Sequence, residues 1–262
     1  MSREPRPDDS VTSTAQPDQG LWVYGVVDAE LDMVEVRGVD REPIRLVRAG
    51  RIAAAVSSIV LDRPPGRKAE LLAFQSVLDT LAAAGPVAPV RFGTIFPDEE
   101  AVAQFLEDRR EEFERVLGGL RGRRQYILRA TYVEELVLEE VVREVPEIRE
   151  LRERTRDRRE DASYGDRVRL GELVVHELER RGADDAAMLF GFVHPLAAAV
   201  LERSEVAPPT VMDAALLVDE ADAERLVEVL EEVAEAVHER IRLDLTGPMA
   251  PYDFADGPSW AS

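Results

Sequence analysis

The side chains that most often carry out chemistry in proteins are rare or scattered in this sequence. Cysteine is absent from the 262 residues, which excludes a disulfide framework, a thiolate metal site and a cysteine nucleophile. The histidines, His176, His194 and His238, are too far apart along the chain to predict a pair of metal ligands. We interpret them as a helix-surface residue, a packed or capping residue, and a residue whose charge suits the carboxyl end of a helix.

Carboxylates are abundant, and their abundance weakens a catalytic interpretation. Adjacent pairs such as Glu139–Glu140 and Glu231–Glu232 recur in amphipathic segments, where the solvent-facing side is acidic by default. The chain contains no glycine-rich nucleotide loop, HExxH, GxSxG or EF-hand pattern. The sequence therefore predicts no catalytic residue, no cofactor and no metal site.

The charge balance narrows the classes of partner. Lys and Arg number 33 against 53 Asp and Glu, so the formal net charge is −20. This balance argues against nucleic-acid binding and against docking on anionic lipid, both of which draw on basic surfaces. No segment approaches the roughly 18 consecutive apolar residues of a membrane span. Residues 1–20 lack the apolar core of a signal peptide, so we expect a disordered tail and a cytoplasmic protein.

The first half alternates strand and helix signals. Leu21–Val27 predicts a buried strand, Ile44–Val47 and Ile52–Val60 predict a hairpin around Gly50, and Lys68–Ala84 predicts a helix. Ala88–Phe96 is another strand-like run. A long amphipathic helix is expected after Pro97, and glycines near residue 120 predict a domain boundary, which gives an N-terminal domain over 21–120.

The second half begins with a strand in which Tyr126, Leu128, Ala130 and Tyr132 share one face. Helical stretches follow to Arg203, then a strand at Val211–Asp219, a helix, and an alternating strand at Ile241–Leu245. This order predicts an α+β fold of two domains, each a small mixed or antiparallel sheet with helices on one face. The C-terminal domain, residues 121–254, is ferredoxin-like with an inserted helical segment, and 255–262 form a tail. No internal repeat is visible in the sequence.

Several segments each leave two interpretations open. Arg91 interrupts an apolar run, so it either pairs with a buried acid in a core strand or lies at an edge that accepts an incoming strand. The proline-punctuated Leu245–Phe254 either clamps across the molecule or binds a partner, with Tyr252 and Phe254 as anchors. Leu189–Ala197 is either core or an interaction stripe. The acidic run 219–239 and the Arg-rich 149–159 are either solvated helix faces or docking faces.

Four of these segments, in order, carry a resemblance to a known family. LWVYGVV at 21–27, PVRFGTIF at 89–96, VMDAALLVD at 211–219 and LTGPMAPYDF at 245–254 resemble the gas vesicle GvpF/GvpL family. The sequence departs from the family pattern at Met249, where we expect a tryptophan, and at Ala250, where we expect a proline. The resemblance implies a two-domain accessory protein without catalysis that binds the small hydrophobic shell protein GvpA.

The leading hypothesis is therefore a chaperone-like factor, a minor vesicle component or assembly factor that limits aggregation of GvpA, located at the gas vesicle and in the cytoplasm. Other gas vesicle accessory proteins are a further expected class of partner; nucleic acid and membranes are not. We expect apolar and strand-edge contacts in the N-terminal domain. An integral constituent of the vesicle wall is an alternative, and a carboxylate enzyme is a remote one that requires a cleft of paired acids with displaced pKa values. The residues that we place at or near the partner contact are Tyr24, Arg91, Phe92, Tyr252 and Phe254.

Overall fold

Two antiparallel sheets organise the chain, and helices cover them. The computed structural model describes residues 19–32, 35–61, 63–156, 160–237 and 239–255, with only the backbone described over 160–162. The strands are β1 Gln19–Asp28, β2 Arg45–Ala49, β3 Ile52–Val60, β4 Val87–Pro89, β5 Ile95–Phe96, β6 Arg123–Tyr132, β7 Ala199–Glu202, β8 Thr210–Asp219 and β9 Ile241–Met249. The helices are α1 Lys68–Ala84, α2 Glu99–Asp108, α3 Arg110–Leu120, α4 Glu134–Glu144, α5 Pro146–Arg156, α6 Glu160–Val193 and α7 Ala223–Val237.

The N-terminal sheet has the strand order β2-β3-β1-β4, with β5 also paired to β1. Every residue from Gly20 to Val27 in β1 is buried, so side chains on both faces of this strand need cover. Helix α1 packs on one face, and α2 and α3 pack on the other. The α+β class is confirmed; the finer expectation of helices on one face is corrected here to both faces, because the central strands are apolar on both sides.

Two segments of the first half are more interrupted than the sequence predicts. Ala88–Phe96 is not one strand but the short strands β4 and β5, separated by a turn in which the Thr94 N–H donates to the Arg91 carbonyl. Gly93 has φ +84°, a conformation that favours glycine. The single helix expected after Pro97 is divided into α2 and α3 at Arg109, whose φ and ψ of −120° and 21° leave the helical region. Both breaks depend on backbone angles at single residues, Gly93 and Arg109, which the spacing of apolar residues in the sequence does not predict.

The C-terminal sheet has the order β7-β8-β6-β9, which is the ferredoxin-like arrangement of a βαββαβ chain. Helices α4, α5 and α6 form the predicted insertion between β6 and β7. The shared face of Tyr126, Leu128, Ala130 and Tyr132 is buried against the helices, as predicted. The helical prediction through Arg203 is wrong at its end: α6 ends at Val193, a turn containing Pro195 follows, and Ala199–Glu202 pairs with β8 as a strand.

The two sheets have the same topology, although their sequences show no repeat. In each, the strands occur in the spatial order second, third, first, fourth. In the first crossover, the described residues between 29 and 44 form the 3-10 turn Val39–Arg41, whereas those of the second form the helices α4, α5 and α6. None of the helices within the described ranges combines the length and apolar composition needed to cross a bilayer.

One layer of the core is built from both halves. Residues of α2 and α3 that cover the N-terminal sheet belong to the same apolar cluster as Ala215 and Leu217 of the C-terminal sheet and as Phe254. All three of these residues are buried. The division at residue 120 stays a prediction. Strand β1 starts at Gln19, within the stretch 1–20 that was expected to form a tail. Residues 1–18 and 256–262 lie outside the described residues.

Candidate functional site

An apolar groove opens on the N-terminal half between α1, the turn that joins β4 to β5, and the C-terminal segment. It encloses a cavity of about 460 Å³. We call it the α1 groove. Its lining residues are Leu71, Phe74, Gln75, Pro89, Val90, Arg91, Phe92, Tyr252 and Ala255. Three of the five residues predicted from the sequence, Arg91, Phe92 and Tyr252, are therefore brought together although up to 161 positions separate them.

A cluster of aromatic rings forms the floor of the groove. Phe92 meets Phe74 edge to face with 5.3 Å between ring centroids, and it meets Trp22 at the same centroid distance. Phe74 in turn stacks on Tyr24 at 5.4 Å. Edge-to-face and offset stacked pairs are the favoured aromatic geometries. The floor is therefore a packed surface that is formed before any ligand arrives.

Tyr24 supports this floor from within the core and does not reach the surface. Its side chain is fully buried, and its hydroxyl accepts a hydrogen bond from the Val39 N–H at 2.8 Å and lies 2.8 Å from the Ser57 hydroxyl. Burial raises the pKa of Tyr24, and these hydrogen bonds oppose the shift only in part. Tyr24 therefore lies beneath the groove and supports its floor through Phe74, and its place near a partner contact stays a prediction.

The segment 250–255, which we call the C-terminal strap, forms one wall of the groove. Phe254 is fully buried in the layer shared by the two halves, so its predicted anchoring role is internal. Tyr252 is half-buried and lines the groove; burial, and secondarily the charge of Asp79, raise its pKa. Phe254 therefore clamps the segment inside the molecule, whereas Tyr252 lies at the surface of the groove; partner binding by Tyr252 stays a prediction.

Hydrogen bonds from both halves hold the strap. The Ala250 N–H donates to Asp79 Oδ1 at 3.1 Å, which ties the strap to α1. The buried Gln125 side chain donates to Asp253 Oδ2 at 2.5 Å and accepts from the Asp253 N–H at 3.0 Å. Arg203 adds an ion pair to Asp253 at 3.3 Å. The wall of the groove is thus positioned by the C-terminal sheet.

Arg91 fits neither interpretation of its segment. Its side chain is exposed at the rim of the groove and has no carboxylate partner within the described ranges. The neighbouring edge is also poorly suited to an incoming strand, since β4 is three residues long and ends in Pro89, which has no N–H. The Val90 N–H is already used by the Tyr24 carbonyl. The groove offers side-chain contacts and, at its rim, the guanidinium of Arg91.

Sequence reasoning missed Leu71 and Leu72 as surface residues. They are 51% and 54% exposed on α1, although their apolar side chains at helical spacing predict a place on its buried face. At about 100° per residue, Leu72 projects away from the arc shared by Phe74, Val77 and Leu81. A helical-wheel projection could therefore have separated Leu72 from the core, whereas Leu71 could not have been assigned without the neighbouring turn.

The other candidate residues do not form a chemical site. His176 is exposed on α6, as expected. His194, expected as a packed or capping residue, is exposed, with its ring centroid 6.0 Å from that of Phe190. His238 lies outside the described residues. Leu189–Ala197 is split, with Leu189 and Val193 buried and Phe192 44% exposed. Across the described ranges, no cluster of acidic or histidine side chains is arranged to hold a metal ion.

The carboxylates with displaced pKa values are engaged in ion pairs. Hydrogen bonds from Arg109, Arg143 and Arg180 lower the pKa of Glu112, Glu144 and Glu177 respectively. A general acid that works near neutral pH needs the opposite shift. These acids stabilise the surface of the helices on which they lie.

Comparisons with known proteins agree with the resemblance. A family model described as gas vesicle synthesis protein GvpL/GvpF matches residues 20–256. Gas vesicle protein F of Streptomyces sp. (strain CB03234) is 30% identical over 239 residues, which cover 90% of this chain and 99% of the relative. Gas vesicle protein L of the same strain is 31% identical over 239 residues, which cover 83% and 85%.

Solved structures share the fold. The crystal structure of the gas vesicle protein GvpF from Anabaena sp. PCC7120 superposes with a TM-score of 0.79 at 21% identity, covering 91% of this chain and 98% of that chain. That of GvpF from Microcystis aeruginosa gives 0.74 at 20% identity, covering 90% and 99%. The matched family model extends from β1 through the C-terminal strap, so both sheets and the groove lie within it. The chain is a member of the GvpL/GvpF family of gas vesicle proteins.

Proposed function

We propose that this protein is a non-enzymatic accessory factor of gas vesicle formation that binds the shell protein GvpA through the α1 groove and limits its aggregation. Family membership connects the chain with gas vesicles. The observation that carries the proposal is the groove itself: an exposed apolar surface with a preformed aromatic floor, on a chain of net charge −20. Exposed apolar patches rimmed by polar residues mark interaction sites.

The physical task explains this combination of features. A subunit that packs edge to edge into a gas-tight wall must expose apolar surface before assembly, and such surface drives off-pathway association. A partner that covers this surface while carrying a large net charge keeps the complex soluble, because like-charged complexes repel one another. Nothing in this task requires a covalent step.

The test is the aggregation of GvpA diluted from denaturant in the presence of the full chain, followed by light scattering. We expect an equimolar amount of the wild-type chain to suppress scattering. The double variant Leu71→Glu/Leu72→Glu should lose this effect, because it places two charges at the mouth of the groove. Val227→Glu on α7 is the matched control, since Val227 is also an exposed apolar helix residue, 40% exposed. Equal suppression by all three proteins would overturn the assignment to the groove.

The location of the protein follows from the same proposal. An assembly factor is expected in the cytoplasm and at growing vesicles, and it should be depleted when purified vesicles are washed with denaturant. Detection of the chain by immunoblot at undiminished level after such washing would instead support an integral constituent of the wall.

A further inference from the structure

We infer that the α1 groove binds its partner as an amphipathic helix laid along α1, with an acidic residue of that helix beside Lys68 and Arg91. This inference rests on the proposed function and adds the conformation, the orientation and the charge of the bound segment. Three features carry it: an uncharged helix face, the shape of the surface along that face, and two free cations at one end.

The solvent face of α1 is almost free of charge. From Leu71 to Ala84 the only charged residue is Asp79, and its carboxylate already accepts the Ala250 N–H. One third of the whole chain is charged, and α7 carries acids on every turn. Depletion of charge at an exposed position is the compositional signature of an interface core. The helix therefore presents a surface suited to another apolar surface.

The surface along this face is continuous. The α1 groove adjoins a second depression at Gln75, and the second adjoins a third at Asp79 and Ala83, which ends against Met249. From Leu71 to Ala83 this trough is about 18 Å long, at 1.5 Å per helical residue. It matches about three turns of a second helix. The side chains of Ser76, Thr80 and Ala83 are short, so the axis of a second helix can approach that of α1 to about 8–10 Å, the usual distance between packed helices.

A bound strand is a poorer fit than a helix. Strand addition needs a row of free backbone groups, and β4 provides three residues that end in a proline. In the turn after it, the Thr94 N–H already bonds to the Arg91 carbonyl, and the Thr94 carbonyl already accepts the Val23 N–H. Side chains, not an open backbone edge, line the trough. A helix with large apolar residues at three- and four-residue spacing uses such a surface fully.

Two unpartnered cations lie at the aromatic end of the trough. Arg91 lines the groove, and Lys68 is exposed one turn before Leu71 and Leu72 on the same helix. The chain leading into α1 lies against the turn that carries Arg91, because a side chain at Gly93 would meet Pro65 at 3.2 Å. Neither cation has a carboxylate partner in the part of the chain that the structure describes. In an acidic protein, this local positive charge selects an acidic residue on the partner.

The experiment uses the full chain and three synthetic peptides of ~14 residues, about the length of the trough. The first has leucines at helical spacing and glutamates in its first turn, the second has lysines in place of those glutamates, and the third has the first composition in alternating order. Fluorescence anisotropy measures binding, and circular dichroism measures helix formation, because such peptides are largely unfolded alone. We expect the first peptide to bind and gain helix, and the other two to bind at least about tenfold more weakly.

Charge reversal tests the orientation. Arg91→Glu should weaken the acidic peptide several-fold and restore binding of the lysine peptide, whereas Val227→Glu should change neither. Lys68 is the single lysine of the chain. A carbodiimide should therefore join the acidic peptide to Lys68, and Lys68→Arg should abolish this product while leaving the anisotropy curve unchanged.

Each remaining outcome decides against part of the inference. Preferential binding of the alternating peptide, or binding without helix gain, would refute the helical mode. The proposed function would still stand if the full chain suppressed GvpA aggregation. Tighter peptide binding by a chain ending at Ala255 would identify residues 256–262 as the natural occupant. Concentration-dependent dimerisation that Leu71→Glu/Leu72→Glu abolishes would identify a second copy. Failure of all three peptides and of GvpA to bind would remove the proposed function itself.

Discussion

At the residue scale, the first turn of α1 depends on a buried carboxylate. Glu70 is 4% exposed, and its Oε2 accepts the backbone N–H groups of Gly66 and Arg67 at 2.8 and 2.9 Å. Arg63 forms an ion pair with the other oxygen. Burial alone raises the pKa of this carboxyl group, but the three donors outweigh it and lower the pKa to about 2. The charged form is therefore the one that stabilises the folded chain.

The pH dependence of this group has a definite sign. Because the folded pKa lies below the unfolded value of about 4.3, the stabilisation is complete above about pH 5 and is lost as the pH falls toward 2. We expect Glu70→Gln to lower the free energy of unfolding by about 2–3 kcal/mol at pH 7 and by about half as much at pH 3. Urea denaturation at both pH values measures this. The exposed Glu228→Gln on α7 is the control; an equal loss for Glu70→Gln at both pH values would contradict the prediction.

Variants at Tyr24 and Ser57 test whether Tyr24 supports the groove from within or contacts the partner. Tyr24→Phe leaves the buried Val39 N–H without its acceptor, so it should cost about 1–3 kcal/mol of stability. Ser57→Ala should cost less, because the tyrosine hydroxyl keeps its bond to Val39. Peptide affinity should be unchanged in both variants at temperatures where they are folded. A Tyr24→Phe variant of normal stability with weakened binding would show that the hydroxyl reaches the partner.

At the scale of the element, the C-terminal strap connects the two halves to the groove. Its backbone is held by α1 and by β6, while Phe254 is fully buried in the shared layer and Tyr252 faces the groove. Substitutions at two positions of one short segment therefore have different consequences. The strap makes the site composite: removal of the C-terminal half would also remove one of its walls.

Phe254→Ala should destabilise the protein by about 3–5 kcal/mol, because it leaves a cavity among buried side chains of both halves. Tyr252→Phe should change stability by less than about 0.5 kcal/mol, because the ring and its packing remain. Urea denaturation gives both values, and hydrogen exchange should show faster exchange across the strap in Phe254→Ala. Equal stability of these two variants would mean that the strap does not dock as described.

At the scale of the whole molecule, two sheets of the same topology share the layer formed by α2 and α3. A fragment ending near residue 120 would expose the surface that covers Ala215 and Leu217, as well as losing the strap. The two halves are therefore expected to unfold together, because separating them uncovers apolar surface on both.

This cooperativity can be measured with Trp22, which is buried in the N-terminal half. In the variant Trp260→Phe, Trp22 is the single tryptophan, since the chain contains two. Its fluorescence and the far-ultraviolet circular dichroism of the whole chain should show coincident urea transitions. Two separated midpoints would instead support independent folding of the halves.

Much of the fold could be predicted from the sequence alone. The bounds of α1, the β2–β3 hairpin and the buried face of β6 follow from apolar periodicity and turn residues, because these depend on neighbours within about ten positions. The same local reasoning failed at Arg109, at the turn after β4 and at β7. There the chain direction is decided by backbone geometry and by pairing with distant strands, which periodicity does not report.

The candidate site shows the same division. Composition determined that this is an acidic chain without cysteine, and four ordered segments indicated its family. Only the tertiary structure decided that Arg91, Phe92 and Tyr252 meet in one groove, that Tyr24 is buried beneath it, and that Phe254 is buried in the layer shared by the two halves. An aromatic residue in an apolar run has the same sequence signal whether it faces solvent or core. Which side it faces is determined by the cover that α1, the shared layer and the strap provide from elsewhere in the chain.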